Sequence, residues 1–219
     1  MAEPFFQMFE CENSSCRLRF PSDLSTSQLD HCPVCGSHMN LIGKPYSNFQ
    51  RPSTCQWLPK FSISILLDNL RSAENVGSIF RTANGAGVAH IYCCGTTPSP
   101  EHARVRKSSL GAEMETSWSY HTNSLDIVNE LQNNGYHLVA LESAPDSKSL
   151  MDYAIDYQPQ QHLILILGNE VSGVDPEVLS RANSVIHIPM AGSKTSLNVA
   201  VTAGIALYLI IKSIGSALH

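Results

Sequence analysis

Two apolar runs of strand length, Ile164 to Leu167 and Val185 to Ile188, each break off into a loop of small and polar residues, and an apolar run of helical length follows the second. Runs that stay apolar at every position, rather than alternating, suit parallel strands covered on both faces. Strands that stop at Gly168-Asn169-Glu170 and at Pro189 to Ser196 put two loops at the carboxyl edge of a sheet, where ligands of open α/β folds sit. Glycines in such loops let a ligand approach main-chain groups closely.

The rest of the chain agrees with this reading. Phe61 to Leu67, His90 to Cys94 and His137 to Glu142 read as further strands. Between them, Val76, Ile79, Phe80 and Ala83 repeat at helical spacing within Asn75–Gly87, leaving Arg81 off the apolar stripe. Ser124 to Asn134 reads as an amphipathic helix ended by Gly135, and Ser196 to Ile214 as an apolar final helix. Alternating strands and helices predict an α/β fold, a mostly parallel sheet with helices on both faces. With 219 residues and 43% hydrophobic side chains, the chain has room for one such domain and a small appendage.

The appendage is marked by cysteine. Cys11, Cys16, Cys32 and Cys35 form two close pairs separated by a spacer of hairpin size, the arrangement that offers four sulfurs to a tetrahedral Zn²⁺. His31 and His38 stand close enough to be rival ligands, but four cysteines already complete a structural site. The expected organisation is a zinc ribbon over 1–42, a proline-rich linker over 43–60 carrying Tyr46, Phe49, Cys55 and Trp57, and the α/β domain over 61–219.

Charge bears on partners. The net charge is −5, yet residues 1–110 hold 10 Lys and Arg against 8 Asp and Glu, while residues 111–219 hold 4 against 11. A polyanion is therefore expected to meet the first half, and Arg17 and Arg19 beside the first cysteine pair suit a phosphate backbone. The most apolar tract, Leu197 to Ile211, is short for a membrane span and is interrupted by Asn198, Thr202 and Gly204. The opening residues lack the basic and apolar regions of a secretion signal, and seven cysteines suit a reducing compartment, so a cytoplasmic protein with no membrane partner is expected.

Phosphate-loop chemistry is excluded by residue identity. A Walker loop requires glycine directly before the lysine, and Ser193 occupies that place before Lys194. No G-x-G-x-x-G follows the first strand of the domain either.

Four elements in order then carry a specific resemblance. LDNLRSAENVGSIFRTANGAGV, KSSLGAE, GNEVSGV and IPMAGSKTSLNVAVTAGIALY resemble the motifs of the SpoU/TrmH-type RNA ribose 2′-O-methyltransferases of the SPOUT superfamily, over roughly Phe61 to the end. The resemblance implies a deep trefoil knot at the carboxyl end, S-adenosyl-L-methionine as methyl donor, an obligate homodimer, and RNA as substrate, tRNA ahead of rRNA. It implies that Arg81 lies nearest the reacting hydroxyl, that Asn75 positions RNA or Arg81, and that Glu170, Ser196 and Asn198 shape the site. It places the cofactor against Leu141, Gly168, Asn169, Ile188, Met190, Ser196 and Leu197, mainly through the main chain. Taken singly, Asn75 and Ser196 also read as helix caps, Arg81 as a surface ion-pair partner and Glu170 as a loop carboxylate satisfied by nearby N–H groups. A non-catalytic RNA-binding module of the same fold is the alternative from a different functional class.

Overall fold

The computed structural model describes residues 5–25, 29–47, 62–153 and 162–217, and the chain divides into two compact units, Met1–Cys55 and Gln56–His219.

The first unit is a three-stranded antiparallel sheet in which β1 (Phe6–Cys11) lies between β2 (Arg19–Asp23) and β3 (Met39–Tyr46). Among the described residues its core contains four buried hydrophobic residues, Phe9, Cys11, Cys32 and Met39, with Phe20 stacked on Phe9. The first cysteine pair is drawn together by a tight turn. Cys16 and Arg17 both donate main-chain hydrogen bonds to the Asn13 carbonyl, with Arg17 in the left-handed region at φ 49°. In the second, Gly36 at φ 74° lets its amide return to the Cys32 carbonyl. Strand β3 continues to Tyr46, where it pairs with Phe6, so the segment expected as linker is strand in its first four residues. Ladder hydrogen bonding overrides the Gly43 and Pro45 signals there. The remainder of that segment, with Phe49, Cys55 and Trp57, lies outside the described residues.

The second unit is built on seven parallel strands: β4 (Ile63–Asp68), β5 (His90–Cys94), β6 (Ser117–His121), β7 (His137–Leu141), β8 (Lys148–Ser149), β9 (Leu163–Leu167) and β10 (Ser184–His187). Their order across the sheet is β6-β5-β4-β9-β7-β10-β8. Every residue of the central strands β4 and β9 is buried, as uninterrupted apolar runs require. Helices α1 (Ala73–Ala86) and α6 (Val199–Ala217) belong to the core on one face, and α4 (Ser124–Asn133) and α5 (Pro176–Arg181) to that on the other. Val76, Ile79, Phe80 and Ala83 are fully buried, which explains α1: its apolar stripe is the sheet-facing side. The helix begins at Ser72, whose hydroxyl accepts from the Asn75 amide, and ends at Gly87 with φ 72°.

Two short helices, α2 (Ala103–Ser109) and α3 (Ala112–Glu115), come between β5 and β6. Helix α2 packs so tightly on α1 that a Cβ on Gly77 would collide with Ser108 Oγ and the Val105 carbonyl. These helices and β6 are departures from the sequence reading, which passed from His90–Cys94 directly to His137–Glu142 as third strand. Helix α2 has only Val105 and Ser109 buried, and β6, at the sheet edge, has no buried residue, so neither presents an apolar period. The final helix starts at Val199, three residues later than expected, because Asn198 turns back to accept hydrogen bonds from Ala200 N–H at 2.9 Å and Val201 N–H at 3.4 Å. Among the described residues no helix is long and apolar enough to cross a membrane.

Candidate active site and metal centre

Sheet register sets the site. Leu67 pairs with Leu167, Leu167 with Leu141, and Leu141 with Ile186, so four adjacent strands, β4, β9, β7 and β10, end nearly level. The chain runs from β4 outward to β5 and β6 and then resumes at β7 on the other side, and ligands collect at such a reversal, outside the carboxyl ends of the strands. A cavity of about 860 Å³ opens there. Its walls include Asn75, Leu141, Gly168, Asn169, Glu170, Ile188, Met190, Ser196, Leu197 and Asn198, so every residue expected at the site except Arg81 lines it.

Three of the expected residues are joined in one hydrogen-bonded chain. Glu170 accepts from Arg71 N–H at 2.9 Å, Ser72 N–H at 3.1 Å and the Asn75 side-chain amide at 3.0 Å. The Asn198 amide donates to Asn75 Oδ1 at 2.9 Å. The loop after β9, the start of α1 and the start of α6 are thus held by a single polar relay. Partial burial pushes the Glu170 carboxyl up, but the Arg71, Asn75 and Ser72 donors outweigh it and leave the group below its ordinary range. Glu170 is therefore an ionised acceptor at neutral pH, suited to organising N–H donors rather than to giving up a proton. The cap readings for Asn75 and Ser196 fail, since Ser72 caps α1 and Asn198 takes that place at α6.

Asn169 has a comparable task. Its amide donates to the Asn69 carbonyl at 2.6 Å, while its Oδ1 accepts from Val171 and Ser172 N–H, which folds the loop after β9 over the end of β4. Gly168 is enclosed so closely that a Cβ would collide with the Val174 amide and the Gly173 carbonyl. Gly168→Ala is accordingly expected to lower stability by about 1–3 kcal/mol, as overpacking does, and to deform the cavity. Thermal denaturation read beside ligand titration checks this, and an unchanged melting temperature would remove the packing argument.

Arg81 stands apart. It is exposed on α1, and among the described residues its side chain has no ion pair or hydrogen bond. The ion-pair reading is thus not supported, and neither is a place in the cavity formed by its own chain. Two cavity residues that sequence reasoning did not select are Glu142 and His187. Glu142 accepts from Ser143 N–H and Val174 N–H, and His187 Nδ1 lies 2.9 Å from Ser147 Oγ. Their signal was position alone: each is at the carboxyl end of a strand.

In the first unit, the sulfurs of Cys11, Cys16, Cys32 and Cys35 all lie within 4.8 Å of one another, with Cys11–Cys35 at 3.5 Å and Cys16–Cys32 at 3.8 Å. A tetrahedral ion with bonds of about 2.3 Å requires sulfurs about 3.8 Å apart, so the cluster can hold a metal ion. Hydrogen bonds from Ser37 bring the Cys35 thiol down to about 6, while burial pushes Cys11 up to about 12. His31 and His38 are exposed and outside the cluster, as expected. Arg17 and Arg19 both lie beside Glu10, Arg19 at 3.0 Å, which offsets part of the charge expected to face phosphate.

The model of the SpoU rRNA Methylase family matches residues 62–208. A tRNA (guanosine(18)-2′-O)-methyltransferase of Aquifex aeolicus is 30% identical over 150 residues, covering 66% of each chain. A putative TrmH family tRNA/rRNA methyltransferase of Staphylococcus epidermidis is 31% identical over 149 residues, 68% of this chain and 58% of the relative. The AdoMet-bound rRNA methyltransferase of Sinorhizobium meliloti superposes with a TM-score of 0.64 at 28% identity, covering 69% of this chain and 56% of that one. The matched part thus spans about three fifths to two thirds of these curated relatives' length.

Proposed function

This chain belongs to the SpoU rRNA methylase family, and from that membership we propose that it transfers a methyl group from S-adenosyl-L-methionine to a ribose 2′-hydroxyl of RNA, tRNA ahead of rRNA. The observation that carries the reading is the Glu170–Asn75–Asn198 relay in the lining of the cavity. It joins residues about a hundred positions apart, one from each of three motifs, at the strand ends where a nucleoside is held in open α/β folds. The relative named for guanosine 2′-O-methylation supports the reaction class, and the AdoMet-bound neighbour supports the cofactor. The alternative, a non-catalytic module, has no observation in its favour.

The cavity fits the cofactor. Leu141, Ile188, Met190 and Leu197 supply apolar walls for a purine, and Glu142 and Glu170 supply anionic acceptors, within a volume ordinary for nucleotide-sized ligands. When bound, S-adenosyl-L-methionine supplies an already electrophilic methyl carbon. The protein's task is alignment and charge stabilisation. In the proposed transfer the ribose 2′-oxygen would bond to the methyl carbon as the carbon–sulfur bond breaks, and the hydroxyl proton would pass to a phosphate oxygen or water. Arginine keeps its proton at any working pH, so Arg81 acts as a cation beside the developing alkoxide rather than as a base.

Arg81 is exposed, and α6 beside α1 exposes Val201 and Tyr208. An apolar stripe of this kind suits a second copy of the chain, which would bring one copy's Arg81 to the other's cavity. The homodimer, the composite site and the cytoplasm as compartment are parts of the proposal. So is the knot: β10 lies between β7 and β8, so the Glu142–Ser147 connection spans the end of β10, and the chain leaving β10 passes that crossing. Structural Zn²⁺ in the cysteine cluster completes it.

The test is incubation with labelled S-adenosyl-L-methionine and separated tRNA and rRNA, followed by alkaline hydrolysis. Label is expected in an alkali-resistant dinucleotide, since a 2′-O-methyl group blocks cleavage at that position. Cofactor binding without label in any RNA fraction would replace the enzyme with the RNA-binding module.

A further inference from the structure

His187 is assigned no role by family membership, yet the hydrogen bonds around it leave its ring in one tautomer. The segment from Glu142 to Leu150 is fastened to β10 at both ends, by Glu142 N–H to the Ile186 carbonyl at 2.9 Å and by Leu150 N–H to the His187 carbonyl at 2.8 Å. Within that segment Ser147 Oγ lies 2.6 Å from the Ala144 carbonyl oxygen, which can only accept. The single hydroxyl proton therefore goes to Ala144. The second contact of the same oxygen, 2.9 Å from His187 Nδ1, must then run the other way, with Nδ1–H as donor. A neutral imidazole protonated at Nδ1 has a lone pair at Nε2.

His187 lines the cavity, as does Glu142. That carboxylate is itself oriented, since it accepts from Ser143 N–H at 2.9 Å and Val174 N–H at 3.0 Å. Two residues of the cavity wall are thus oriented as acceptors. Such a wall favours a ligand that presents N–H or O–H there and opposes one that presents a carbonyl, which would set lone pair against lone pair.

We propose that His187 determines ligand specificity in this cavity, its Nε2 accepting a hydrogen bond from the nucleoside half of the bound ligand, either the exocyclic amine of adenine or a ribose hydroxyl. The inference rests on the methyl-donor reading of the cavity. Ser147 is a positioning residue that holds the tautomer, and His187 makes the contact.

The experiment is calorimetric titration at pH 8 with S-adenosylhomocysteine, which binds without turnover. In His187→Asn the amide nitrogen can replace Nδ1 as donor to Ser147, whereas the far acceptor is deleted. Affinity is expected to fall about three- to tenfold, the value of one hydrogen bond in a partly closed site. The 6-oxo analogue S-inosylhomocysteine and the 2′- and 3′-deoxy analogues identify the donor. The one that pairs with Nε2 loses affinity on wild-type protein and loses none further on His187→Asn. Undiminished binding to a folded variant, or equal losses for every analogue on both proteins, would overturn the assignment while leaving the methyl-donor reading intact. Failure of wild-type protein to bind S-adenosylhomocysteine would overturn both. A measurement on wild type avoids dependence on the variant: nitrogen NMR of labelled histidine is expected to show the Nδ1–H tautomer, with the Nε2 resonance moving as ligand is added. The Nε2–H tautomer would refute the proposal.

Discussion

Chelation of the metal proposed for the four-cysteine cluster is expected to unfold the N-terminal unit. Its buried core holds Phe9 and Met39 beside two of the cysteines themselves, so the metal site and the core are largely one structure. Fixing each backbone residue costs about 1–2 kcal/mol, and burying a Phe or Met side chain returns about 1.5–3 kcal/mol. Two such side chains cannot order the described strands, whereas a structural Zn²⁺ site contributes about 10–16 kcal/mol at neutral pH. The second unit has its own cores on both faces of its sheet, so its thermal transition is expected to persist. Scanning calorimetry with and without chelator, and restoration by added Zn²⁺, checks this. Replacing zinc with Co²⁺ should give the visible absorption of a tetrahedral thiolate site. A ribbon whose strand signals survive chelation would show that the cysteines do not depend on metal.

The second large effect is expected at Arg81. Lysine keeps the charge but not the planar fork, and exposure on α1 means that little stability is at stake. If the guanidinium stabilises the developing alkoxide, Arg81→Lys should lower the single-turnover methylation rate about 10²- to 10³-fold, as loss of a comparable stabilising donor does. Calorimetric affinity for S-adenosylhomocysteine should be unchanged, because Arg81 does not line its own chain's cavity. Wild-type turnover would remove the proposed role. Mixing chains separates a composite site from one contained in a single chain. Equal amounts of Arg81→Ala and Asn198→Ala should recover about one quarter of wild-type activity, because about half the dimers then hold one intact pair. No recovery, with exchange demonstrated, would place Arg81 and the cavity of one chain together.

What the sequence made legible was whatever repeats along the chain or clusters locally. The buried stripe of α1, the strands read at His90–Cys94 and Ile164–Leu167, and the two loops that hold Gly168-Asn169-Glu170 and Ser196 all followed from period and composition. The cysteine spacing identified a set of sulfurs that do converge. Polar Ser117–His121 and Ala103–Ser109 were missed because edge strands and lightly buried helices need no apolar period.

Only the tertiary structure decided which of these parts touch. Sheet order brings β4, β9, β7 and β10 side by side, so Glu170 reaches Asn75 and Asn75 reaches Asn198 across separations of 95 and 123 residues. The same order gives Glu142 and His187 to the cavity and leaves Arg81 outside it. Hydrogen bonds form between neighbours in space, and periodicity along a chain carries no record of which strand lies beside which.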